Sequence, residues 1–181
     1  INGIETRLDM LKKEIIPTLD SVLMYTKSLQ NTGITRVLHN NTEIFSIACQ
    51  YIKDSKQEIR AVISGEILPA KEYHDTLIDV LAKSKENETP IYNRVIITTD
   101  NIPLSETLVN RYKKNVKHYT EKGIEDLIKL YFSLASASFD MLIIDDMHVI
   151  ISYSVTEGAQ DLQSGIAFIN EPNIARQMAK W

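Results

Sequence analysis

Three carboxylates, Asp140, Asp145 and Asp146, stand close together near the C-terminal end of the chain, with Ser138 just before them. Oxygen groups so placed could cluster around a hard cation such as magnesium or calcium. A hard cation such as calcium takes about six to eight oxygens, more than this cluster offers. Asp145-Asp146 also suits a tight turn, because aspartate tolerates the backbone such turns require, and the turn is the simpler reading. Ser138 has no imidazole beside it to act as activating base. The four histidines, His39, His74, His118 and His148, fall in four different segments without partners at zinc-ligand spacing, so no metal site is expected. His74-Asp75 resembles a base with its orienting acid, but neighbours on a helix point apart, which favours a helix surface. Cys49 is the only cysteine; it forms neither an internal disulfide nor a zinc site, and it lies in the apolar phase of a helical segment, where a buried thiol is the ordinary reading. The stretch from Arg111 through Lys113, Lys114, Lys117 and Lys122, with Tyr112 and Tyr119 between, is the densest run of positive charge. It fits a solvated helix face better than a polyanion site. Glycine-rich phosphate loops are absent, and no cofactor is expected.

Composition supports the same exclusions. The 181 residues carry 20 Lys plus Arg against 24 Asp plus Glu, a net charge of −4, which supplies no global field for nucleic acid. With 44% hydrophobic and 24% charged residues the chain reads as globular. No apolar run approaches the ~18 residues of a membrane span, no signal-peptide pattern opens the chain, and the single cysteine suits a reducing, cytoplasmic setting. The chain begins at Ile1 rather than Met, which reads as a processed product or as a fragment whose missing N-terminus could hold another domain or a membrane anchor.

Several elements must position these residues. Ile4, Leu8, Leu11, Ile15, Thr18, Val22, Tyr25 and Leu29 recur at alternating steps of four and three, a heptad seam. Ile16, Leu19 and Leu23 widen it, so the stripe suits either a second chain or the helix's own domain. Pro17 kinks this helix or begins another. Residues 1–32 are therefore set apart as a helical linker and dimerisation segment, and 33–181 as one α/β domain. Within that domain Ile34–Leu38 predicts a strand, and Asn40 with Glu43 a capping box for a helix whose apolar face is Ile44, Ile47, Ala48, Tyr51 and Ile52. Ile59–Ile63 predicts a strand, Tyr73, Leu77, Ile78 and Leu81 a helix, and Arg94–Thr99 a second strand. Asp100 or Asn101 caps a helix with Pro103 in its first turn and Leu104, Leu108 and Tyr112 on one face. Val116–Tyr119 is ambiguous. Ile124, Leu127, Ile128 and Tyr131 predict a further helix. Phe139–Ile144 and His148–Tyr153 predict a hairpin about Asp145-Asp146-Met147. Gly165–Ile169 is a last strand, and Pro172 opens a terminal helix.

The segment FDMLIIDDMHVIISYSVTEGAQDLQSGIAFINEPNIARQMAKW resembles one half of the phospholipase D superfamily fold, in which such a hairpin precedes a Gly-Ile-Ala strand and a closing helix. The earlier order, IACQYIKDSKQEIRAVISG and then RVIITT, is similar to the start of that domain, so the resemblance runs from about Gly33 to the end. It implies an α/β fold, a phospholipase D-like mixed sheet flanked by helices. Active relatives place a His nucleophile, a phosphate-holding Lys and an Asp at fixed spacing on the hairpin, followed by Gly-Ser and Asn. Taking Asp145 as the motif's acid puts Ser138 at the His position and Asp140 at the Lys position. Ser152 and Tyr153 then stand for Gly-Ser, and Val155 for Asn. Asp145 alone survives. Carboxylates repel a phosphodiester transition state, which needs cationic or N–H donors, so no enzyme activity is expected.

Degenerate halves of this kind preceded by a helix are similar to the effector-sensing parts of TrmB-type sugar-responsive transcriptional regulators. The resemblance implies a non-catalytic ligand-sensing domain, a homodimer through residues 1–30, a small-molecule effector, and contact with DNA only through a part missing from this chain. Ligands of α/β sheets gather at strand C-terminal ends, which selects Ser64, Thr98, Thr99, Ser138, Asp140 and Asp145 as the expected pocket lining. The alternatives are a phosphodiesterase or nuclease completed by a partner half, and a pure protein-interaction module.

Overall fold

Backbone donors at the start of the first helix are satisfied by the side chains the sequence places there. Asn40 Oδ1 accepts from the Glu43 N–H at 3.0 Å, and Glu43 Oε2 accepts from the His39 N–H at 3.0 Å. This is the expected capping box, with its return bond one residue earlier than in the usual reciprocal pair. It launches α1 (Asn41–Asp54), which buries Ile44, Ile47, Ala48, Cys49 and Ile52. The computed structural model describes residues 33–64, 71–98, 106–133, 139–157 and 160–180. The heptad segment 1–32, the cap at Asp100 or Asn101 with Pro103, and Thr99 and Ser138 lie outside them.

The described elements run β1 (Ile34–Leu38), α1, β2 (Glu58–Ser64), α2 (Lys71–Glu86), β3 (Tyr92–Thr98), α3 (Glu106–Glu121), β4 (Ile128–Ser133), β5 (Asp140–Ile144), β6 (His148–Glu157), β7 (Gln160–Ile169) and α4 (Pro172–Met178). Seven strands form one sheet in the order β1-β7-β6-β5-β2-β3-β4. β2, β3 and β4 are parallel, joined through α2 and α3, while β1, β7, β6, β5 and β2 pair antiparallel in turn. The result is a mixed sheet flanked by helices.

Alternation along the strands sorts the core into two layers. Ile59, Ala61, Val95, Ile97, Leu142, Ile144 and Ile150 pack with Ile44, Ile47 and Ile52 of α1 and Leu77, Ile78 and Leu81 of α2. Met141, Ile143, Val149, Ile151 and Phe168 point the other way and pack with Ile174, Ala175 and Met178 of α4. Strands buried on both faces read as continuous apolar runs, which is how β5 and the start of β6 appear in the sequence.

One expected element is corrected. Ile124, Leu127, Ile128 and Tyr131 do not form a helix: α3 continues to Glu121, Gly123 turns the chain at φ 65°, and a 3-10 turn over Glu125–Leu127 leads directly into β4. The same apolar residues satisfy either period, but Ile128 and Leu130 are half-buried while Lys129 and Tyr131 are exposed, a strand alternation. The free edge of β3 then supplies a parallel ladder. Val116–Tyr119, undecided in the sequence, belongs to α3, with Tyr119 buried. The β6–β7 hairpin also extends past both predicted ends, pairing out to Glu157 and Gln160. Its outer residues are largely polar, so they read as loop.

Gly165 marks a close approach within this sheet. A Cβ there would sit 2.6 Å from the Ile151 carbonyl oxygen, which belongs to the neighbouring strand and cannot swing aside. Gly165→Ala is expected to cost about 1–3 kcal/mol, as overpacking does, read from the urea midpoint. A change under about 0.5 kcal/mol would show that β6 and β7 separate freely at this point.

Candidate ligand-binding site

The sheet carries its polar groups to two opposite ends. At one end β2 and β3 finish in register, Ser64 beside Thr98, and Thr98 beside Ser133 of β4. Thr98 is buried, and its hydroxyl donates to the Ile63 carbonyl at 3.4 Å. Because β5 runs antiparallel to β2, its first residue, Asp140, arrives at this same end, opposite Ser152 of β6. Between these strands and the inner faces of α1 and α2 lies a cavity of about 70 Å³. Its walls include Phe45, Ala48, Ile63, Tyr73 and Leu142, with Asp140 and Ser152. Phe45 and Tyr73 meet at 60° with ring centroids 6.4 Å apart. Burial foremost, and then the charges of Cys49, Tyr119 and Asp140, holds the Tyr73 phenol well above its ordinary range, so it stays neutral. Among the described residues no lysine, arginine or histidine lines the cavity.

Of the six residues expected to line a pocket, Ser64, Thr98 and Asp140 therefore meet at one end of the sheet, and Asp140 itself borders the cavity. Thr99 and Ser138 lie outside the described residues. Asp145 stands at the other end of β5, roughly 15 Å away for five residues of strand. Its carboxylate is engaged there: Oδ1 accepts from Ser55 Oγ at 3.1 Å and from the N–H groups of Gln57 and Glu58 at 2.9 and 3.0 Å, while Oδ2 accepts from the Lys56 N–H at 2.7 Å. Asp145 and Asp146 take φ of 54° and 53°, which makes the hairpin turn the sequence predicts. Asp146 pairs with Arg60 at 3.0 Å, and Glu58 joins Arg60 and Arg94 at 2.8 and 2.6 Å. The acidic cluster is thus divided between a cavity and a structural clamp.

Sequence reasoning passed over Phe45, Tyr73 and Ser152 as site residues. Phe45 sits just off the predicted apolar face of α1, and an aromatic beside a complete apolar stripe was the available signal. Tyr73 figures in the sequence only as one of the residues that predict a helix.

His74 and His118 come together, with ring centroids 6.1 Å apart, and among the described residues no group of three or more His, Cys, Asp or Glu is placed to hold a metal ion. Cys49 is buried, as expected. His148 stacks on Tyr51 at 4.2 Å, and its Nδ1 accepts from the Asn170 N–H at 3.2 Å, which fixes a neutral ring. Burial lowers its pKa, offset in part by Asp145 and Asp54. His74 lies 3.3 Å from the Tyr119 hydroxyl; burial foremost, then His118, lowers its pKa as well. Burial also pushes the Tyr119 phenol up to about 12. For a histidine with a lowered folded pKa the unfolded chain takes up the proton first, so stability falls as pH drops through the ordinary value of 6.5 and levels off below the folded pKa. Urea midpoints are expected to fall between pH 7.5 and 5.5, and His74→Gln with His148→Gln should flatten that slope. An unchanged slope in the double variant would assign it to other groups.

With this geometry in place, comparison with known proteins defines the fold class. The chain is similar to the structure of TrmBL2, an archaeal chromatin protein described as showing a novel mode of DNA binding, at 14% identity and a TM-score of 0.54, covering 99% of this chain and 61% of that one. It is also similar to a phosphatidylserine synthase from Haemophilus influenzae, at 12% identity and a TM-score of 0.59, covering 81% of this chain and 35% of that one. No protein-family model and no curated protein matches. The fold is phospholipase D-like, and the chain spans about three fifths of the first relative and about a third of the second. Among the described residues no helix is long and apolar enough to cross a membrane.

Proposed function

We propose that this chain is a non-catalytic regulatory domain that binds a small, non-anionic effector at the Asp140 end of its sheet. The observation that carries this reading is the charge of the cavity. Asp140 occupies the place where the phospholipase D resemblance calls for a phosphate-holding lysine, and among the described residues no cation lines the cavity. A phosphoryl group would meet repulsion where catalysis requires stabilisation. The likeness to TrmBL2 supports a regulatory setting, with DNA reached through a part outside this chain. Residues 1–30, through their heptad seam, join two copies, and the cavity at the end of β2 and β5 senses the effector; Ser64, Thr98, Thr99 and Ser138 belong to its surroundings, while Asp145 serves the clamp.

Two measurements test this together. The chain is expected to leave bis(p-nitrophenyl) phosphate intact, and turnover that disappears in Asp140→Ala would overturn the non-catalytic reading. Light scattering should show a dimer for residues 1–181 and a monomer for 33–181. A monomer in both would remove the dimeriser and leave an effector domain acting as a single copy.

A further inference from the structure

The two edges of the sheet are finished differently. β1 and β4 close the strand order at either side, and among the described residues no strand lies beyond them. An edge strand presents backbone donors and acceptors along its outer side, a template for another strand. Large exposed apolar side chains gather at these same places. Ile34 and Val37 of β1 are each 57% exposed, while Tyr131 and Phe132 of β4 are 50% and 52% exposed. The devices that protect natural edges are few on β4. It contains no proline, and its one charge is Lys129. Its register with β3 runs unbroken from Ile128 to Ser133, without a bulge.

Pairing with its own copy resolves that charge. Side chains directly opposite in an antiparallel pair share a face of the sheet. A two-fold axis normal to the sheet and centred on Leu130 therefore sets Leu130 against Leu130, Ile128 against Phe132 and Lys129 against Tyr131. The Phe132 ring, met edge-on by Tyr112 of α3 with centroids 5.6 Å apart and planes at 84°, gains a β-branched neighbour, and the lysine gains a ring face. No like charges meet. The same operation over the whole length of β1, centred on Arg36, sets two guanidinium groups opposite each other, which opposes pairing.

We infer that β4 is a self-association edge, at which two copies of this chain pair antiparallel through Ile128–Phe132 in the register centred on Leu130. The two sheets then continue into one. A five-residue ladder falls below the ~1,200 Å² at which interfaces become stable, so the contact is weak, with a dissociation constant on the order of 100 µM. It is separate from the proposed heptad seam, which alone sets the mass at low micromolar concentration.

Sedimentation equilibrium of the full chain tests this. Between about 10 µM and about 1 mM, a range that spans the expected dissociation constant, the weight-average mass of the wild type should rise close to twofold. Tyr131→Lys places a lysine opposite Lys129 of the copy, twice across the axis, and should hold the mass at its dilute value throughout. Adding Lys129→Glu to Tyr131→Lys turns each of those contacts into an opposite-charge pair and should restore the rise, which also shows that the single variant is folded. A flat wild-type profile would overturn self-pairing and leave the edge to an extended segment of a different protein. A rise that persists in Tyr131→Lys, or that the double variant does not restore, would overturn this register and the inference with it. The dilute mass reports the seam and the rise reports the edge, so the two readings fail separately.

Discussion

Replacing Asp145 with glycine is expected to destabilise this chain by about 3 kcal/mol, since several hydrogen bonds to one carboxylate are lost and bonds to charged groups contribute about 1.5–3 kcal/mol each. Four donors converge on that carboxylate from Ser55, Lys56, Gln57 and Glu58. The backbone is tied at the same point, because the Asp145 N–H donates to the Glu58 carbonyl at 2.9 Å. Together these contacts fasten the α1–β2 connection to the β5–β6 turn, so their loss frees the entry to β2. Glycine is the informative replacement, because Asp145 has φ 54°, and alanine there would add about 1–2 kcal/mol of backbone strain to the loss of the carboxylate. The Ala-minus-Gly difference therefore reads the backbone, and the Gly variant reads the carboxylate. Asparagine should fall between wild type and glycine: its oxygen still accepts the bonds made to Oδ1, while its amide opposes the Lys56 N–H. In a domain of this length 3 kcal/mol corresponds to a Tm lower by about 6–12 °C. A glycine variant within about 0.5 kcal/mol of wild type would show that the clamp is solvated in solution.

That clamp marks where sequence reading ran out. Asp145 stands out in the sequence as the one surviving member of a catalytic motif, and the turn it helps to make is legible from Asp145-Asp146. Its partners lie 87 to 90 residues earlier, and nothing local in Ser55–Glu58 announces them. A turn expected from local chemistry and a long-range anchor thus coincide in one residue, and only the first is written in its neighbours. The same distinction explains the rest. The capping box at Asn40, the strands at Ile59 and Arg94 and the β5–β6 hairpin are fixed by short-range pattern, and they form as read. β4 reads as a helix in the sequence because Ile124, Leu127 and Ile128 satisfy two periods, and the choice belongs to the free edge of β3. The motif register singles out Asp140, which borders the cavity, whereas Phe45 and Tyr73 come from helices that meet the cavity only through the packing of α1 and α2 on the sheet.

Phe168→Ala is expected to cost about 3–5 kcal/mol, the range of a fully buried phenylalanine truncated in a rigid core. Phe168 has 0% exposure and sits in β7, paired with Val149 of β6 and Thr35 of β1. It shares its layer with Ile174, Ala175 and Met178, the buried face of the two-turn helix α4. A helix that short has little stability of its own, and it is held by this apolar face together with the Glu171 N–H bond to the Met147 carbonyl at 2.8 Å. Truncating the ring removes from beneath it the largest fully buried side chain among the described residues. Phe168→Leu keeps most of the volume and should cost less than about 1.5 kcal/mol, so the alanine-to-leucine gap measures the cavity itself. An unchanged urea m-value in both variants would assign the effect to the folded state. If alanine costs under about 1 kcal/mol, α4 does not seal this side of the sheet, and the second core layer must be closed by something other than Ile174, Ala175 and Met178.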